Sequence, residues 1–327
     1  MKKIQTKIML LVMAATLGVS AVNSLQGVKT TRNSTISAIE KTLGETTKLA
    51  ATAAQNMIST YTLIIAEIAA NPMLYDPNLS QTQKQEFIES KVKLYYMRFG
   101  GMADLNGYDA VHDVDISEEP FFQEAMKGTN YMSSPYVDGD DLFLIVSAPI
   151  KEGDTIHGVL YFQCDSYILQ SIVEEIQIGE EGESYILDKY GVTIACGNKE
   201  AVLEQENITE EALENPENQD LQVLAEVEKK MIAGESGIAF YSYAEDNSSN
   251  IQGYTPIPGT DGWSVAVTMD EDEFMQDAYA ANNRQVMVSI SLCLAVLLVA
   301  AFLSLSIARP IVLCAERLRA LAKGDLK

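Results

Sequence analysis

Residues able to do chemistry crowd together between Ser117 and Asp141, where acids and aromatics recur at short spacing: Glu118, Glu119, Phe121 and Phe122, then Tyr136, Asp138, Asp140 and Asp141. Carboxylates accept N–H bonds, and an aromatic face holds a cation with about 0.5–2 kcal/mol. Such a set supports binding more readily than bond making. Asp138, Asp140 and Asp141 beside Glu118 and Glu119 leave a calcium reading open, because hard cations take several carboxylates, but the Asp-x-Asp-x-Asp-Gly spacing of an EF-hand is missing. Enzymatic constellations are largely absent: His112 and His157 stand apart, and no G-x-S-x-G, P-loop or H-E-x-x-H occurs. We expect no enzyme and no cofactor.

The elements that must position these residues show a duplication. One strand turns through Asp104-Leu-Asn-Gly107 and another through Asp188-Lys-Tyr-Gly191. In each, the Asp can bond its own backbone and the Gly can take positive φ. Each turn is followed by a Pro-Ile and a β-rich strand ending in Asp: Pro149-Ile150 with Gly158 to Asp165, and Pro256-Ile257 with Trp263 to Asp270. Two coincidences in the same order argue for a repeated module. The second copy is longer because the acidic residues 199–233 insert helical sequence, and Ser166 to Ile178 reads as the helix joining the modules.

Flanking these modules are long apolar helices. Val286 to Ile307 contains no charge, and about 20 apolar residues cross a bilayer core. Residues 8–28 form a second candidate span behind Lys2, Lys3 and Lys7. A cleaved signal peptide fits that N-terminus too. However, Ile36, Ile39, Leu43, Ala50, Ala53, Met57, Tyr61, Ile64 and Ile68 recur at helical spacing, so one long helix, 29–70, is expected to continue out of the membrane.

Charge partitions the same way. Residues 1–29 carry four bases and no acid, residues 284–327 six bases and two acids, and residues 30–283 carry 44 acids and 13 bases. The positive-inside rule places both ends in the cytoplasm and about 29–285 outside a cell membrane. An outer segment so acidic excludes nucleic acid as a partner and favours cationic ligands. Of four cysteines, only Cys164 and Cys196 lie outside the flanks, where a disulfide or a buried free thiol are both open.

Roughly residues 35–275 resemble the double Cache sensor domain of bacterial transmembrane receptors, most like the front of a methyl-accepting chemotaxis protein. The resemblance rests on the anchor, the long helix, the two PAS-like modules, and the strings Ser117-Glu-Glu-Pro-Phe-Phe-Gln-Glu-Ala-Met-Lys-Gly128 and Tyr131-Met-Ser-Ser-Pro-Tyr-Val-Asp138. It implies an α+β fold with a membrane-distal module, 71–165, a connecting helix, 166–180, and a membrane-proximal module, 181–270. An exit helix, 271–285, would lead to the second span, 286–307. Arg309-Pro-Ile and Leu321-Ala-Lys-Gly-Asp-Leu326 are similar to the first helix of a HAMP linker, 308–327, which implies a homodimer and cytoplasmic signalling partners reached through an output domain.

The resemblance also implies a ligand pocket in the distal module, built by a helix at 118–128, a strand at 131–138 and the last strand. Amino-acid-sensing relatives grip a carboxylate with Arg-x-Trp-Tyr. Here those positions read Glu119, Phe121 and Phe122, whereas Tyr136, Asp138 and Asp165 match the ammonium-binding half. A carboxylate in place of a guanidinium repels the carboxylate it would otherwise hold. The expected ligand is therefore an amine-like cation, not a plain α-amino acid.

Overall fold

The computed structural model describes residues 2–139, 141–176, 178–179, 182–244 and 248–303, with isolated positions up to 318. Its contacts define two units: Glu40–Glu271, and Met1–Ile39 with Asp272–Lys327.

Helix α1 (Lys2–Ala69) is unbroken. Within the first unit its buried stripe runs through Leu43, Thr47, Ala50, Ala54, Ile58, Ile65 and Ile68. The expected stripe agrees as far as Ala50. Beyond it the burial lies one position on at three places, at Ala54, Ile58 and Ile65 in place of Ala53, Met57 and Ile64, while Tyr61 is half-buried and Ile68 is buried as expected. A 3-10 turn (Pro72–Leu74) leads to α2 (Gln81–Leu94), whose start is a capping box between Ser80 and Gln83.

The first module holds β1 (Phe99–Ala103), β2 (Tyr108–Asp109), β3 (Val114–Asp115), α3 (Pro120–Met126), β4 (Tyr131–Met132), β5 (Tyr136–Asp138), β6 (Asp141–Glu152) and β7 (Thr155–Asp165). The antiparallel sheet runs β1-β7-β6-β4, with β5 also on β6. Strand β6 is buried at every position from Leu142 to Ile150, so both faces are covered and its sequence reads as an apolar run without alternation. The single strand expected at 131–138 is two short ones. Pro135 brings no N–H to a ladder, and Ser133 Oγ accepts from Ile145 N–H at 2.8 Å, a side chain standing where backbone pairing would continue.

Helix α4 (Tyr167–Glu175) leads into the second module: β8 (Glu183–Leu187), β9 (Thr193–Cys196), α5 (Lys199–Leu203), α6 (Ile208–Glu214), α7 (Gln219–Ile232), β10 (Gly237–Ser242), β11 (Ser249–Pro256) and β12 (Ser264–Asp270). Its sheet runs β10-β11-β12-β8-β9, which repeats the first with β8 in the place of β1, β12 of β7 and β11 of β6. The two turns agree bond for bond. Asp104 Oδ1 accepts from the backbone of Asn106 and Tyr108 at 2.8 and 3.0 Å, and Asp188 Oδ1 from Tyr190 and Val192 at 2.8 and 3.1 Å. Gly107 and Gly191 close them at φ 86° and 85°.

Helix α1 backs the second sheet at Gly253, where an added Cβ would meet Thr47 Oγ1 and Leu43 Cγ. No linker separates β12 from α8 (Glu271–Leu303). Residues Glu271–Val299 form the one helix among the described residues that is long and apolar enough to cross a membrane. The expected first span, 8–28, falls inside α1. In this second unit Ser20 Oγ meets Cys293 Sγ at 3.0 Å, so α1 and α8 lie side by side. Leu17, Val22, Leu25, Met287, Leu294 and Leu298 are exposed there. The expected HAMP signatures at Arg309-Pro-Ile and Leu321–Leu326 lie outside the described residues, apart from Pro310.

Candidate functional site

A cavity of about 770 Å³ opens between the first module's sheet and helix α3 on one side and two loops of the second module on the other. Its floor is aromatic. Phe99 on β1 and Phe121 on α3 lie 6.0 and 5.6 Å from the Tyr161 ring on β7. Tyr161 presents its ring to the cavity because its hydroxyl is spent elsewhere, donating to Asp109 Oδ2 at 2.7 Å.

That bond belongs to a buried support. Asp109 is fully buried and takes Val111 N–H and His112 N–H on Oδ1, with His112 Nδ1 2.8 Å from Oδ2. Burial pushes the Asp109 carboxyl up, but the hydrogen bonds from His112 and Tyr161 outweigh it and hold the group below its ordinary range. Burial, then the hydrogen bond to Asp109, push the Tyr161 phenol up. Asp109 thus stays ionised, Tyr161 protonated, and the floor fixed.

The walls carry charge. Glu119, Asp115, Asp188 and Asp261 line the cavity against one ammonium, Lys189. Glu119 stands at the start of α3 yet makes no capping bond, so its carboxylate is not committed to the helix. Tyr136 lines the same wall and accepts from Gln163 Nε2 at 2.9 Å; burial is the main cause of its raised phenol pKa. From the second module, Lys189 Nζ sits 2.6 Å from Asp261 Oδ2 and 5.1 Å from the centre of the Tyr190 ring. Tyr131 OH reaches the same Asp261 oxygen at 3.5 Å, and burial followed by the Asp261 charge pushes that phenol up to about 12. Ser134 Oγ donates to Asp188 Oδ2 at 3.2 Å.

Three of the six expected residues, Glu119, Phe121 and Tyr136, share this cavity. Phe122 is 6 % exposed and packs in the first module's core. Asp138 is exposed and pairs with Asp141 at the tip of the β5–β6 hairpin. Asp165 is exposed, accepts Tyr167 N–H at 2.8 Å at the start of α4, and borders a different cleft. The last strand instead offers Gln163, two residues earlier. For calcium, Asp140 lies outside the described residues, and among the described residues no group of three or more acids, histidines or cysteines is placed to hold a metal. Cys164 and Cys196 are both free.

Sequence reasoning missed the second-module wall entirely. Asp188 was legible only as a turn residue, and nothing local to Lys189, Tyr190 or Asp261 signals a cavity built against another module. Gln163 could have been found from the period-2 alternation of β7 with Tyr161.

Two PAS-like antiparallel sheets carried by one long helix define a sensor architecture. The Cache domain family dCache_1 matches residues 28–278, and the chain belongs to it. The methyl-accepting chemotaxis protein McpB of Bacillus subtilis (strain 168) is 25 % identical over 216 residues, a match covering 65 % of this chain and 29 % of McpB. The chain thus spans under a third of that relative's length. Among solved structures, the ligand-binding domain of the Pseudomonas aeruginosa PAO1 amino acid chemoreceptor PctB in complex with L-Arg superposes with a TM-score of 0.54 at 19 % identity, covering 72 % of this chain and 96 % of that one. The extracellular domain of the putative histidine kinase mmHK1S-Z2 superposes with a TM-score of 0.54 at 11 % identity, over 74 % and 99 %. At these identities the likeness to solved structures establishes the fold, that of a double Cache domain of the kind found at the front of chemoreceptors.

Proposed function

We propose that the chain is the sensing and membrane-entry part of a transmembrane receptor that binds an amine-like cation in the first module's cavity. The observation that carries this reading is the charge of that cavity, four carboxylates against one ammonium above an aromatic floor. Such a site attracts cations through its summed field and holds them by hydrogen bonds and ring faces. Glu119, Phe121 and Tyr136 are the proposed contacts, with Gln163 fixing the Tyr136 hydroxyl.

Two spans, 8–28 and 286–307, are proposed to anchor the chain in the cell membrane with about 29–285 outside. The exposed apolar residues of paired α1 and α8 support this, because lipid is the solvent such surfaces fit. Signal then passes through a HAMP linker at 308–327 to an output domain and its cytoplasmic partners, as the chemotaxis relative suggests; the likeness to a histidine kinase sensor supports a kinase output as the second reading. Leu49 and Leu63, 69 % and 64 % exposed on α1, are the proposed seam of a homodimer.

The test is thermal shift and calorimetry on the whole chain in mild detergent, against primary amines and tetramethylammonium. Binding of at least one amine is expected, weakened about tenfold by Glu119→Gln through loss of a charge-assisted bond. No response to any amine overturns the reading.

A further inference from the structure

The cavity's acids are divided between the modules. Glu119 and Asp115 come from the first, Asp188 and Asp261 from the second, and the aromatic floor of Phe99, Phe121 and Tyr161 belongs to the first. These acids differ in their other duties. Asp115 Oδ1 accepts Ser117 N–H at 2.9 Å. Asp188 is spent on its turn through Oδ1 and on Ser134 through Oδ2. Glu119 makes no cap bond, and the contacts of Asp261 with Lys189 and Tyr131 both fall on Oδ2. Asp261 is also in a loop, with 42 % of its side chain exposed, so it can re-aim without breaking a sheet.

A monocation can satisfy one of these carboxylates. The other leaves a second negative site on the far wall, neutralised by Lys189, the one base lining the cavity among the described residues. We propose that the natural ligand class is an α,ω-diamine, one ammonium held by Glu119 of the first module and the other by Asp261 of the second, its methylene chain lying over Phe121 and Tyr161. The proposal rests on the reading of this cavity as a cation site. Lys189 is then a built-in placeholder: its ammonium occupies the Asp261 site when the ligand is absent and is displaced when the ligand arrives. A ligand held at both ends ties the modules together. The second module ends in β12, which runs without a linker into α8, so the diamine would act on the segment leading to the membrane.

The experiment is isothermal titration of the whole chain in lipid nanodiscs with propylamine, butylamine and pentylamine and the matching 1,3-, 1,4- and 1,5-diamines. One diamine is expected to bind about tenfold or more tighter than its monoamine, the factor a second charge-assisted bond contributes. Asp261→Asn should weaken the diamine about tenfold more than its monoamine, which loses only its share of the cavity's field, whereas Lys189→Gln should raise diamine affinity, a gain that no loss of structure would produce. Equal binding of monoamines and diamines, or an Asp261→Asn loss of equal size in both series, overturns the bridge while leaving the cation site standing. No binding of any amine by the wild-type chain overturns both.

Discussion

Glu228 offers the sharpest test of how the second module is held together. Its side chain on α7 is 2 % exposed, and Oε2 has no hydrogen-bond partner among the described residues. Burial, then the charge of nearby Glu206, push its carboxyl from 4.5 up to about 8, against a smaller opposing effect of a bond to Tyr185. The folded chain therefore holds this proton more tightly than the unfolded chain does. Its stabilisation is fully present below about pH 4.5 and is lost as pH rises through about 8. Integrated over that window the loss is roughly 4 kcal/mol. Glu228→Gln keeps the shape and removes the titration. Trp263, the only tryptophan, is 1 % exposed, and the next residue, Ser264, donates to the Met231 carbonyl on the same helix at 2.8 Å, so its fluorescence reports on this region. Urea unfolding of the whole chain in detergent at pH 5, 6.5 and 8 should show wild type weakening steadily. The variant should keep only the smaller slope of Glu206, whose carboxyl is also raised, mainly by burial. Equal pH slopes in the two proteins would refute the argument, and with it the idea that this carboxyl is held neutral in the core.

Three further outcomes follow from the first module. Gly101→Ala should destabilise by about 1–3 kcal/mol in the same unfolding assay, because the new Cβ would stand 2.5 Å from Asp109 Oδ2 and 2.6 Å from Tyr161 OH; an unchanged midpoint counts against the buried support. Tyr161→Phe removes a donor from the fully buried Asp109 and should cost about 1–3 kcal/mol. Burial, then the Asp165 charge, push the Cys164 thiol up to about 12, so iodoacetamide at pH 8 should label it in urea but not in the native chain; native labelling by mass spectrometry would contradict this.

Much of the fold was legible because it is written in local signals. The Asp-x-x-Gly turns need an Asp that folds back on its own backbone and a Gly at positive φ, and both copies deliver the same bonds. Their common order with the Pro-Ile pairs and the strands ending in Asp exposed the duplication before any strand pairing was known. The phase of α1 was half legible: its apolar residues are so plentiful beyond Ala50 that either of two adjacent stripes fits, and only packing against the sheets selects Ala54 and Ile58.

The site was less legible, and β7 shows the physical reason. Tyr161, Gln163 and Asp165 share one face of the strand, since side chains alternate with period two. Charge singles out Asp165 as the natural partner for an ammonium, but a face is not a cavity. Strand β6 pairs Phe143 with Asp165 and Ile145 with Gln163, and the cavity wall reaches Ile145 while stopping short of Phe143. The strand therefore leaves the cavity between Gln163 and Asp165, at a point fixed by how far the second module's loops extend over the sheet. No residue of β7 encodes that distance. In the proposed cation site the neutral amide at Gln163 would leave the ammonium to Glu119 and to acids of the other module, so the same distance that hid the cavity also hid its division between two modules.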